Sequence, residues 1–371
     1  MVKKYSCLTL FLCALFILSS CENESKGTYR EDSSGPIGLV SVFADEEMYE
    51  GLQNGLQDTL ILGKVFPGLY YPPEVMFSHR HFESNLFQRF KATRLVLDVQ
   101  VGDASIEMER NKFSRPQAYV QVSGNTPQEI LTLLQENQDE LLELYRWADY
   151  QFILDGHKSK SHQDTSPLDQ LNVEMLIPRD FIIVEQNPEF VWYRKDQFNI
   201  IQNRDERDQG VVSDTSQDIL NLFLFKVPYN KPELNIQEAH FILDSITKLY
   251  TKGAKTPREI YVKTQEGNDS IKTWLSDHIQ VESNPLLSDY YDFRLAETSD
   301  NLDIYETRGW WSMTLSQLGG PFTAKFILDK ENNQLYVVDA VMFAPLNQGV
   351  SKKRDYINSM ESLFTTFKIK E

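Results

Sequence analysis

Every cysteine of this chain lies within its first 21 residues, at Cys7, Cys13 and Cys21. Whatever folds beyond them does so without a disulfide, a thiolate-bound metal or a cysteine nucleophile. Stability must then come from a packed core. A chain of 371 residues, 41% hydrophobic and 12% aromatic, has the material for one.

The placement of those cysteines carries a second message. Lys3 and Lys4 precede an apolar run over residues 8–18, which gives way to Ser19, Ser20 and Cys21. A basic start, a short apolar middle and small residues before a cleavage point make a secretory signal. The run is too short to span a bilayer, which takes roughly 20 apolar residues. Cleavage before Cys21 frees its sulfur to carry a diacylglycerol, and two or more acyl chains suffice for stable anchoring. The expected product is a bacterial lipoprotein: signal peptide over residues 1–20, lipidation with palmitate at Cys21, and attachment to the cell envelope. The outer membrane is the expected site, on its periplasmic face or at the cell surface.

Lys3 and Lys4 are the only charges of the signal, so its loss takes the net charge from -17 to -19. Such a chain repels phosphate backbones, which argues against nucleic acid as a partner. It also repels anionic lipid, so the acyl anchor rather than the protein surface makes the membrane contact.

Residues 21–35 are polar and read as a flexible tether. Beyond them the pattern is α+β, with mainly antiparallel sheets, long packed helices and two similar-sized units over residues 36–160 and 168–371. The first unit opens with a strand over 37–43 and a helix over 45–60. A short helix is expected over 79–91, then strands over 94–101, 106–113 and 118–123. Thr126, Pro127 and Glu129 open the strongest helix, running to about Ala148. Residues 156–167 mark the boundary. The second unit begins with a three-strand meander over 173–195, a charged loop over 203–216 and a strand over 219–227. A helix over 237–250 and a strand over 261–264 follow. It ends with a strand over 304–313, a hairpin over 322–343 and an amphipathic helix over 352–367.

Few residues suggest chemistry. Gly319, Gly320 and Pro321, near Arg308, read as a tight turn; the alternative is an anion cradle of converging backbone N–H groups. Trp310 and Trp311 are adjacent, so in a strand they face opposite ways. One belongs to the core and the other offers a platform for a sugar or a partner side chain. His79 and His81 read as a solvated helix start; only in a strand would they share a metal, with Glu83 joining them. No metal site and no cofactor are expected. Lys352, Lys353 and Arg354 pair with surface acids or meet an anion. No phosphate loop and no nucleophile elbow occurs, and no spacing selects a carboxylate pair for hydrolysis.

The blocks Arg308-Gly309-Trp310-Trp311, Gly319-Gly320-Pro321-Phe322, Ala344-Pro345 and Lys352-Lys353-Arg354 resemble an uncharacterised lipoprotein family of Bacteroidetes-type bacteria, a domain of unknown function. Glu22 and Glu24, just after the anchor, are similar to surface-export signals of that group. The strand–turn–strand and hairpin–helix cadence of the second unit is similar to the PsbP/Mog1-like fold. The resemblance implies a lipid anchor and no assigned activity. The expected function is non-catalytic binding or assembly of an envelope protein or glycan, with Arg308, Trp310, Trp311, Gly319 and Gly320 as candidate binding residues. An envelope hydrolase acting on a glycan or peptide through carboxylates is the alternative.

Overall fold

A computed structural model describes residues 30–370, apart from 59–60, 63–64, 71–72, 163, 205–210, 254, 265–266, 282–291, 314 and 346–352. Cys21, the tether up to residue 29 and Lys352 lie outside the described residues.

The first unit is built on five strands: β1 (Leu39–Phe43), β2 (Ser78–Phe82), β3 (Leu95–Val101), β4 (Ser105–Arg110) and β5 (Ala118–Gly124). They lie in the order β2-β1-β3-β5-β4, with only β4 antiparallel to its neighbour. This sheet is thus mainly parallel, unlike the mainly antiparallel pairing expected of the chain as a whole. The reason is burial on both faces, which parallel sheets require and which apolar runs such as Leu-Val-Ser-Val-Phe supply. On one face α1 (Glu46–Leu56) buries Leu52 and Leu56. On the other, Phe43, Val96 and Tyr119 meet Phe82, Phe87, Phe90 and Phe113 in an aromatic cluster. Phe87 and Phe90 bound a one-turn helix, α2 (Phe87–Phe90).

The segment expected as a helix over 79–91 is thus mostly otherwise. His79 and His81 pair with Val40 and Val42 as an edge strand, because β1 offers an unpaired backbone and Phe82 has the aromatic cluster to fill. The long helix expected over 126–148 is two helices, α3 (Pro127–Glu136) and α4 (Gln138–Lys158). Asn137 breaks them, its side-chain amide donating to Leu133 O at 2.8 Å. Thr126 accepts from Glu129 N as anticipated, and the Glu129 carboxylate accepts from Asn125 N.

In the second unit, α5 (Ser166–Leu171) precedes β6 (Ile182–Asn187), β7 (Phe190–Arg204) and β8 (Val211–Pro228). Of the charged loop expected over 203–216, the described residues 203–204 and 211–216 instead belong to β7 and β8, which pair from Phe190↔Phe225 out to Arg204↔Val211. The expected meander loses its first strand: Val173–Glu174 pairs with Lys368–Ile369 near the chain end. Helix α6 (Ile236–Tyr250) is capped by Asn235, which accepts from Glu238 N. A hairpin of β9 (Lys255–Thr264) and β10 (Gly267–Ser276) follows, then β11 (Gln280–Val281) and β12 (Asp292–Thr298). The chain then makes β13 (Leu302–Met313), β14 (Leu318–Asp329), β15 (Gln334–Phe343) and α7 (Lys353–Phe364).

The large sheet has the order β6-β7-β8-β15-β14-β13, with β11 and β12 both on β13, and it is antiparallel throughout. The chain is therefore α+β with mostly antiparallel pairing. Seven α-helices occur among the described residues, and α4, with 21 residues, is the only long one. Both faces of the large sheet are covered. Phe223 and Phe225 point to Ala239 and Leu243 of α6. Leu220, Leu222 and Leu224 point to Ile357, Met360 and Leu363 of α7, in a core that continues to Val40 and Leu97 of the first unit. The two halves thus share one core.

Candidate functional site

The period-two alternation of β13 decides where the candidate residues go. Arg308 and Trp310 face α7, whereas Trp311 faces α6.

Arg308 stands opposite Thr323 across β13–β14. Its guanidinium binds Glu361 of α7 through Nε, and through Nη2 at 2.8 Å. Thr323 Oγ1 donates to the same carboxylate at 2.9 Å, and the Tyr150 hydroxyl of α4 donates to it as well. A buried carboxylate with this many donors stays ionised. The Arg308 charge and its hydrogen bonds hold the Glu361 carboxyl down to about 2 against the cost of burial. The Arg308 guanidinium is held charged in turn.

This network floors a cavity of ≈340 Å³ between α4 and the sheet. Four basic and five acidic side chains line it, so its charges nearly cancel. Arg308 is committed to Glu361 and does not cradle an exogenous anion. Arg294 likewise engages Glu306 at 2.7 Å. A carboxyl held ionised at neutral pH is poorly suited to donate a proton.

Gly319 and Gly320 are not in a turn. Both lie within β14, paired with Ser312 and Trp311, and neither has a left-handed backbone. They serve close packing: a Cβ on Gly320 would lie 2.0 Å from Met342 O and 3.1 Å from Trp311 Nε1. That approach lets the Trp311 indole donate to Met342 O at 3.0 Å. Trp311 is buried, and its ring lines a second cavity of ≈330 Å³. Trp192, Tyr250 and Phe343 complete the aromatic wall, with Asn221, Arg194, Thr251 and Lys252 as the polar groups. Three of these rings are held. Trp192 donates to Asn221 Oδ1 at 3.0 Å, and Tyr250 stacks on Phe190 at 3.7 Å while accepting from Asn187. Rigid aromatic faces with a few fixed polar groups suit an amphipathic ligand such as a sugar.

Trp310 is half-buried on the other face, with Lys353 Nζ 5.7 Å from its ring centre. It does not share the pocket of Trp311. Lys353 is buried, and Arg354 donates to Ile37 O at 3.1 Å, while its backbone N–H meets Glu74. Arg354 thus ties α7 to the first unit, and its Nε also reaches the partly exposed Asp355 at 3.4 Å.

Two features escaped the sequence reading. Glu361 falls four residues after Ile357 and three before Phe364, on the apolar stripe of α7, and a lone acid there was a readable sign of a buried partner. Trp192, Asn221, Tyr250 and Phe343 carry no local sign, since only the sheet order brings them together.

Residues 160–366 match the family model described as a domain of unknown function, DUF4837, and residues 33–157 match a second, DUF8532. The chain belongs to the DUF4837 family. No curated protein matches the chain.

Proposed function

We propose that this is a lipid-anchored cell-envelope protein, held at the outer membrane through Cys21, that binds a glycan without turning it over. The observation that carries the reading is the aromatic pocket of Trp192, Tyr250, Trp311 and Phe343, three of whose rings, Trp192, Tyr250 and Trp311, are held by hydrogen bonds or stacking before any ligand arrives. Pre-organised faces reduce the ordering cost of binding. The anchor rests on the Lys3–Lys4, apolar, Ser19-Ser20-Cys21 pattern. The Bacteroidetes-type origin and the PsbP/Mog1-like cadence remain part of the same proposal. Hydrolysis finds less support, because Glu361 and Glu306 are each engaged by an arginine.

The test is a titration of the palmitate-labelled protein, in detergent, with fragments of envelope polysaccharide and peptidoglycan, followed by tryptophan fluorescence. Saturable quenching is expected, weakened about tenfold or more in Trp192→Ala, with the added glycan recovered intact. Equal quenching in the variant would sink the pocket, cleaved glycan would favour the hydrolase, and a chain without palmitate would remove the anchor.

A further inference from the structure

The carboxyl ends of β1 and β2 bring together three side chains that the proposed function does not use. Glu46 opens α1, three residues beyond the end of β1, and lies exposed. His81 is the penultimate residue of β2, and Glu83 follows that strand directly. Since β1 and β2 are parallel neighbours, all three gather at one end of the sheet. That end is where open parallel sheets commonly bind ligands. One ligand atom from each residue lies within 4.8 Å of the other two.

The imidazole is prepared for coordination. His81 Nε2 stands 2.9 Å from Ala44 O. A carbonyl oxygen only accepts, so the ring proton sits on Nε2 and the Nδ1 lone pair turns to the carboxylates. The ring also stacks on Tyr49 of α1, with centroids 4.0 Å apart and planes within 5°. A backbone carbonyl that fixes the tautomer, and a packed ring face, are the usual outer-shell supports of a metal-binding histidine. Nδ1 is 3.7 Å from Glu46 Oε2, beyond hydrogen-bond reach. Two ligand atoms each about 2.1 Å from one ion stand roughly 3.4 Å apart in tetrahedral geometry. The exposed Glu46 side chain closes the small difference by rotation. His79, on the same face, packs edge-on against Tyr49 and lies outside the ligand set.

The geometry points to a divalent transition-metal site made by His81 Nδ1 and the carboxylates of Glu46 and Glu83. One imidazole with two carboxylates suits Zn²⁺ better than Mg²⁺ or Ca²⁺, which favour all-oxygen shells. Three protein ligands leave a fourth position for water or for a donor from a partner.

Calorimetric titration of the chelator-treated, full-length protein with zinc chloride tests this. One Zn²⁺ per chain is expected, with a zinc-dependent rise in Tm and no comparable response to magnesium or calcium. Glu46→Gln and Glu83→Gln keep side-chain volume and spare the His81 contacts, so their metal-free Tm should match the parent while zinc affinity falls about tenfold or more. His81→Ala should abolish binding. Zinc affinity unchanged in the Glu46→Gln, Glu83→Gln double variant would place any bound ion on the scattered histidines and overturn the assignment, as would the absence of zinc binding by the parent.

Discussion

Glu361 on one face of the large sheet, and Asp339 and His240 on the other, are buried on opposite terms. Under α7, Glu361 keeps its charge, because Arg308, Thr323 and Tyr150 converge on it from β13, β14 and α4. Under α6, Asp339 and His240 give theirs up. Burial, with Asp244 nearby, pushes the Asp339 carboxyl well above its ordinary range, and its Oδ1 has no hydrogen-bond partner among the described residues. Burial alone pulls the His240 imidazole down to about 4. A charge survives in an interior only where several elements supply donors; elsewhere the group turns neutral.

The largest test breaks the charged face. Glu361→Ala strands a buried guanidinium and is expected to destabilise by about 3–5 kcal/mol in urea unfolding. A cost below about 1 kcal/mol would mean that Arg308 is served equally by Asp292.

An acid titration of stability comes next and separates the faces by pH. His240 has a folded pKa lowered from 6.5 to about 4, so the unfolded chain takes up the proton first. Its contribution is complete above about pH 6.5 and is lost as pH falls toward 4. The shift is worth ~3 kcal/mol at most. Glu361 has a folded pKa lowered from 4.5 to about 2, so its contribution persists to pH 4.5 and is lost from there toward 2. His240→Gln should erase the upper window in a pH series of Tm and leave the lower one intact. Loss of both windows together would show that the faces are coupled.

The smallest effect sharpens the neutral face. The raised pKa of Asp339 means that stability falls as pH rises above its ordinary value of 3.8, because the unfolded carboxyl ionises and the folded one resists. Asp339→Asn removes that penalty at the cost of desolvating an amide, for a net gain of about 1 kcal/mol at pH 7. A lower Tm would reverse the reading.

These residues also show what a sequence can and cannot tell. The opposite facing of Trp310 and Trp311 follows from strand periodicity alone, and Asp339 stands out as a single acid in Leu-Tyr-Val-Val-Asp-Ala-Val-Met-Phe. The N-cap of α3 and the helical spacing of α6 and α7 were equally local and equally legible. The role of Gly320 was not, because the atom that excludes a side chain there is a carbonyl on the next strand. The parallel pairing of β1, β2 and β3 was hidden for a related reason: short apolar runs state burial but not strand direction. His79 and His81 were read as a helix start because nothing nearby shows that β1 has an open edge.

Arg354 reaches back to Ile37, and α7 completes a core that begins at Val40. Synthesis runs from the amino end, so the opening strands emerge long before the helix that will seal them. Until α7 emerges, the nascent chain must keep an oily seam unglued, and a chain stopped before that helix would leave it open for good.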